Sequence, residues 1–106
     1  MKIIYNNIIP FKGFAAINLF GVLFARHGVR INRYTINHEA IHTRQMKELG
    51  YIFFYVIYLI EWIGRLFQYK FNNIEAYRNI SFEKEAYYHE YDLSYLEHRK
   101  HYAMWK

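Results

Sequence analysis

A chain of 106 residues with a net charge of +5 is long enough for one modest core and too short for two. With 54% of it apolar and 22% aromatic, an intrinsically disordered chain is excluded. It has no cysteine, so disulfides and thiolate metal sites are excluded and any metal must rest on His, Glu, Asp and water.

Basic residues are spread along the chain, and the only tight run is His98-Arg99-Lys100-His101 near the end. No helix-turn-helix, zinc-finger or RRM pattern accompanies them, so a solvated basic surface is expected and no specific nucleic-acid partner. The N-terminus does not read as a secretory signal, because Asn6, Asn7, Pro10 and Lys12 interrupt the apolar run after Lys2. The expected location is the cytoplasm, with membrane association as the alternative.

Residues 2–9 read as a strand, rich in β-branched and aromatic side chains, which Pro10 and Gly13 end. Residues 15–26 and 29–34 read as a hairpin turning at His27-Gly28. The hairpin delivers the chain into His38-Glu39-Ala40-Ile41-His42, an H-E-x-x-H motif. Thr35 and Asn37 are candidate N-caps, good helix formers continue to Leu49, and Gly50 supplies a stop. On a helix, residues four apart share a face, so His38 and His42 place two ring nitrogens to hold one metal ion. Glu39 sits beside them, within reach of a water on that metal. Zinc suits imidazole ligands with one position left for water, and the chemistry implied is metal-assisted hydrolysis of a peptide bond.

Residues 49–67 are strongly apolar, with Glu61 and Arg65 spaced to pair on one helix face. A buried helix packing behind the metal helix is expected. The alternative is an aromatic-rich helix that dips into a membrane or binds an apolar partner. Asn72 and Asn73 mark a turn, and residues 74–79 are ambiguous. Ser81 is a candidate N-cap for a long helix from about 82 to 99. The basic, aromatic tail from His101 to Lys106 has no assigned partner and offers a cover for the cleft.

A catalytic zinc wants three protein ligands. The candidates for the third are Glu61, Glu75, Glu83, Glu85, His89, Glu90 and Asp92. In a helix after Ser81, Glu83, Ala86, Tyr87 and Glu90 share a face, and the small Ala86 lets that face approach the motif helix. Glu83 is therefore preferred, and Glu85, on a different face, is the alternative.

H-E-x-x-H followed about forty residues later by Glu83-Lys84-Glu85-Ala86, an E-x-x-A pattern, resembles the gluzincin branch of the zincin metallopeptidases. The length resembles the minigluzincins within that branch. The resemblance implies one α+β zincin-like domain over residues 1–106, with a short antiparallel sheet or hairpin, an active-site helix, an apolar helix and a long C-terminal helix. It implies zinc held by His38, His42 and a Glu of the second helix, with Glu39 as general base. It also implies that the strand before the motif helix is an exposed edge, where an extended peptide adds by β-augmentation.

Many such families continue E-x-x-A-D, and Tyr87 stands here in place of the Asp that supports a zinc-bound His. A phenol lacks the carboxylate charge that raises His basicity. Asn18 and Glu90 are the candidate substitutes. Tyr87, Tyr88 and His89 are candidate donors to the developing oxyanion. The function expected is therefore a small zinc metallopeptidase acting on a peptide or protein. The alternative is a metal-binding module that uses the fold for protein contact without hydrolysis.

Overall fold

The computed structural model describes residues 2–8 and 16–105, which form a small α+β protein. Three strands, β1 (Lys2–Asn6), β2 (Ala16–Leu19) and β3 (Val22–Arg26), make a sheet in the order β1-β3-β2. β3 is central, parallel to β1 from Lys2↔Val22 to Asn6↔Arg26 and antiparallel to β2 from Ala16↔Ala25 to Leu19↔Val22. The expected strand 2–9 ends at Asn6, and Ile9 and the break at Pro10 and Gly13 lie outside the described residues.

The hairpin turns at Phe20-Gly21, not at His27-Gly28. Both turn residues have positive φ, 54° and 89°, as a two-residue hairpin loop of type I′ needs. A phenylalanine resists that conformation, and contacts from further along the chain hold it there. Its N–H donates to the Tyr55 hydroxyl at 3.0 Å, and its ring packs on Tyr51 and Tyr55. Gly28 also takes a positive φ, but there the chain leaves the sheet. Residues 29–32 lead into a helix that already includes Arg33 and Tyr34, so the expected strand 29–34 does not form.

That helix, α1 (Arg33–Leu49), is capped by Asn32, whose side chain accepts from the Thr35 N–H at 2.8 Å. Thr35 and Asn37 therefore lie inside the helix. Gly50 ends it in the left-handed conformation, with φ 71°. The chain then bends by 110° into α2 (Ile52–Gln68). No single described helix is long and apolar enough to cross a membrane.

Contrary to the expectation of a buried core helix, only Phe54 of α2 is buried. A core of this size covers one face of α2 and no more. Phe54 joins Met46, Ile80, Phe82 and Met104, with Tyr58 and Trp62 packed alongside. Glu61 and Arg65 do not pair. Glu61 accepts from the Ser81 N–H at 3.1 Å and hydroxyl at 2.6 Å, and Arg65 donates to Gln68.

The ambiguous stretch becomes α3 (Asn73–Arg78), capped by Asn72. The long helix expected over 82–99 is two, α4 (Ser81–His89) and α5 (Tyr95–His98). Ser81 is the first residue of α4, with Glu61 of α2 satisfying its N–H. At the other end Asn37 of α1 donates its side-chain amide to the carbonyls of His89, Glu90 and Asp92. Those carbonyls belong to the frayed end of a helix, and α1 supplies the donor that a continuing helix would have supplied. The described part of the C-terminal tail packs into the core and not over a cleft. Met104 is buried in the core, and Trp105 packs on Phe82.

Candidate metal centre

His38 and His42 stand one turn apart on the buried side of α1, 8% and 5% exposed. Their Nε2 atoms are 3.2 Å apart. Glu83, in the first turn of α4 and 4% exposed, brings Oε1 to 3.0 Å from Nε2 of His42 and 3.3 Å from Nε2 of His38. Ala86, fully buried against Ile41 of α1, permits this approach of the two helices. Glu61 fixes where α4 begins, and so sets where its first turn points.

The three atoms form a triangle with edges of 3.0–3.3 Å. Zinc bound tetrahedrally at about 2.1 Å from N and O ligands spaces those ligands roughly 3.4 Å apart. The donor set and its spacing therefore fit a metal ion, and three groups are brought together as such a site requires.

The other ring nitrogens fix the tautomers. Nδ1 of His38 donates to Glu90 Oε1 at 3.0 Å, and Nδ1 of His42 donates to Gln45 Oε1 at 2.8 Å. The Gln45 amide is held in that orientation because its Nε2 donates to the Phe82 carbonyl and to Glu85. With both Nδ1 atoms donating, both Nε2 atoms turn toward Glu83, the arrangement typical of metal-ligating histidines. The remaining Glu83 oxygen accepts from the Tyr58 hydroxyl at 2.7 Å.

Such a cluster calls for a positive charge. Burial alone lowers the pKa of His42, but the Glu83 carboxylate beside it outweighs burial and raises it to about 9. Burial raises Glu83, and the charge on His42 together with hydrogen bonds from His42 and Tyr58 holds it well below the usual carboxylate range. A proton on His42 and a metal ion compete for the same Nε2. Because the folded-state pKa lies above the ordinary 6.5, the His42–Glu83 pair stabilises the metal-free chain fully below that value and ceases to do so as pH rises through about 9. Metal binding at pH 7 is expected to release a proton from His42, and affinity to rise about tenfold per pH unit up to about 9. Titrating metal in buffers of different ionisation enthalpy measures that proton, and a pH-independent affinity between 6.5 and 9 would contradict it.

Two of the three, His42 and Glu83, border a cavity of about 680 Å³. Glu39, His42 and Glu83 line one part of it, and Ala16, Ile17 and Asn18 of β2 another. Phe54, Tyr55 and Tyr58 of α2, with Tyr77, supply an aromatic wall. Burial first, then the Glu83 charge, raises both Tyr58 and Tyr77 above the usual phenol range, so both hydroxyls stay protonated.

Glu85 is not at the trio. It is buried in an ion pair with Arg99 and accepts from Tyr95. Glu90 is the partner of His38, and Tyr87 packs edge-on against the His38 ring at 4.6 Å. Asn18 donates to the Glu39 carbonyl and to Thr43, which ties β2 to α1 and leaves neither imidazole with an Asn18 partner. His89 stacks on Tyr95 at 3.8 Å, away from the cavity, and Tyr88 is 83% exposed. The edge of the sheet that meets the cavity is β2, whereas β3, the strand nearest the motif in sequence, is central.

Gln45 and Tyr58 also serve the centre, and no motif in the sequence contains them. Gln45 lies three residues after His42, a spacing at which helical side chains meet, and that signal was present. Nothing distinguishes Tyr58 among twelve tyrosines. Compared with known proteins, the chain matches no family model, no curated protein and no solved structure, so the reading of this centre rests on its own geometry.

Proposed function

We propose that the centre binds zinc through His38, His42 and Glu83 and that the chain hydrolyses peptide bonds. The observation that carries this reading is the convergence of the three donors, two of which, His42 and Glu83, line a cavity shared with Glu39 and a sheet edge. Zinc in such a site supplies a water of lowered pKa and polarises a carbonyl.

The chain's own residues supply the rest. Glu39, the neighbour of His38, takes the proton of the attacking water and passes it to the leaving amine. β2 receives an extended peptide by strand addition, with the hydrogen-bonding groups of its outer edge turned to the substrate. Tyr77 accepts from the Tyr87 hydroxyl at 3.5 Å and keeps its own proton, which it offers to the carbonyl oxygen as negative charge develops there. Tyr58 is already donating to Glu83 and holds that ligand in place. Glu90 supplies the carboxylate that the E-x-x-A-D pattern would have supplied, so Tyr87 at that position leaves His38 with an acidic partner.

Glu39→Gln is expected to retain zinc and to lower hydrolysis of an unstructured protein by about 10²–10⁴-fold, the usual contribution of a positioned base. A zinc-loaded wild-type chain that cleaves no such substrate, or a Glu39→Gln chain as active as wild type, overturns the enzyme reading and leaves a metal-binding module.

A further inference from the structure

α2 is two-faced in an unusual way. Its inner face lines the cavity and the core. Its outer face is a stripe of Phe53, Val56, Leu59, Ile60, Ile63 and Phe67, each 45–68% exposed. The spacing 53, 56, 60, 63, 67 runs the full length of the helix on one side. From Tyr51 to Ile60 there is no charged residue. Of the two charged residues in the helix, Glu61 is turned to Ser81 and Arg65 to Gln68. So long an exposed apolar surface marks an interaction site.

We infer that this face lies in the interfacial layer of a membrane containing anionic lipid. Two observations favour lipid over a second copy of the chain, and a lipid surface, unlike a protein partner, imposes no matching shape. The net charge of +5 complements an anionic surface, and exposed Lys47 and Lys70 bracket the helix in sequence. Half-buried Tyr51 and Tyr69 stand at its two ends, the amphipathic rings that favour the headgroup region.

The apolar surface continues toward the cavity mouth. Phe20, 56% exposed, packs on Tyr51 and Tyr55, and Ile17, 39% exposed, lines the cavity itself. With α2 on the bilayer, the cavity lies about one helix diameter, ~10 Å, from the lipid. Membrane attachment does not depend on hydrolysis.

The test is sedimentation of the full chain with vesicles of phosphatidylcholine alone and of phosphatidylcholine mixed with phosphatidylserine. Binding to the mixed vesicles is expected, weaker on the neutral ones and falling with salt. Phe53→Glu combined with Ile60→Glu is expected to lower it by about tenfold or more with metal content unchanged. Should that variant lose its metal, Val56→Gln with Ile63→Gln gives the same readout at milder cost to the fold. A wild-type chain that stays in the supernatant with mixed vesicles overturns the inference. So does a metal-loaded variant that binds as wild type. A wild-type dimer that the substitutions convert to monomer, without vesicle binding, overturns it in favour of a second copy.

Discussion

Replacing Arg99 by Met is expected to destabilise the protein by about 3–5 kcal/mol, the usual consequence of leaving a buried charge without its partner. The Arg99 side chain is 1% exposed and holds two carboxylates. It donates Nη1 to Glu48 at 2.9 Å and meets Glu85 with both Nε and Nη2. Glu85, 3% exposed as a side chain, would be left without a cation, and Glu48, 4% exposed, with only the exposed His101 ring beside it. The cluster reaches well beyond the pair. Glu48 also accepts from the Tyr102 N–H, which fastens the tail, and Glu85 accepts from Tyr95 and Gln45. The loss is large against a total stability of about 5–15 kcal/mol. Urea unfolding of the metal-free chain measures it, and a loss below about 1 kcal/mol would mean that the cluster is solvated and structurally incidental.

The second large effect separates the two acidic residues of the E-x-E segment. Glu83→Gln is expected to weaken metal binding by more than about 100-fold, beyond the 10–100-fold carried by groups that only support a ligand. Glu85→Gln acts on the centre only through Gln45, and its effect is expected to stay within about tenfold wherever the chain remains folded. Competition with a chromophoric chelator measures both. The reverse order would place Glu85 on the metal and contradict the helix orientation described above.

What the sequence disclosed, and what it withheld, follows the range of the forces involved. The motif helix was legible because periodicity and breakers are local, and Gly50 ends α1 where a left-handed cap was expected. The side of α4 that faces α1 was legible too, because a small residue at position 86 marks a close approach. The hairpin was displaced because the turn at Phe20-Gly21 has no turn-forming pair in sequence and depends on Tyr51 and Tyr55, some thirty residues further on. The long C-terminal helix was overextended for a related reason. Residues 90–94 contain no breaker, and the chain leaves the helix where Asn37 of α1 takes up its last carbonyls. α2 was expected inside because hydropathy counts apolar residues without knowing how much partner surface exists to cover them. Of the centre itself, the His pair is local and was legible. Its supports, Glu90 and Gln45, depend on which helix faces which, and only Gln45 carried a spacing signal.

The central claim is that His38, His42 and Glu83 together hold one metal ion. The most direct measurement is elemental analysis of the purified, dialysed full chain beside His42→Ala. One zinc per wild-type chain and none in the variant is the expected result. A wild-type chain without metal after zinc is supplied, or a His42→Ala chain that keeps one zinc, would contradict it.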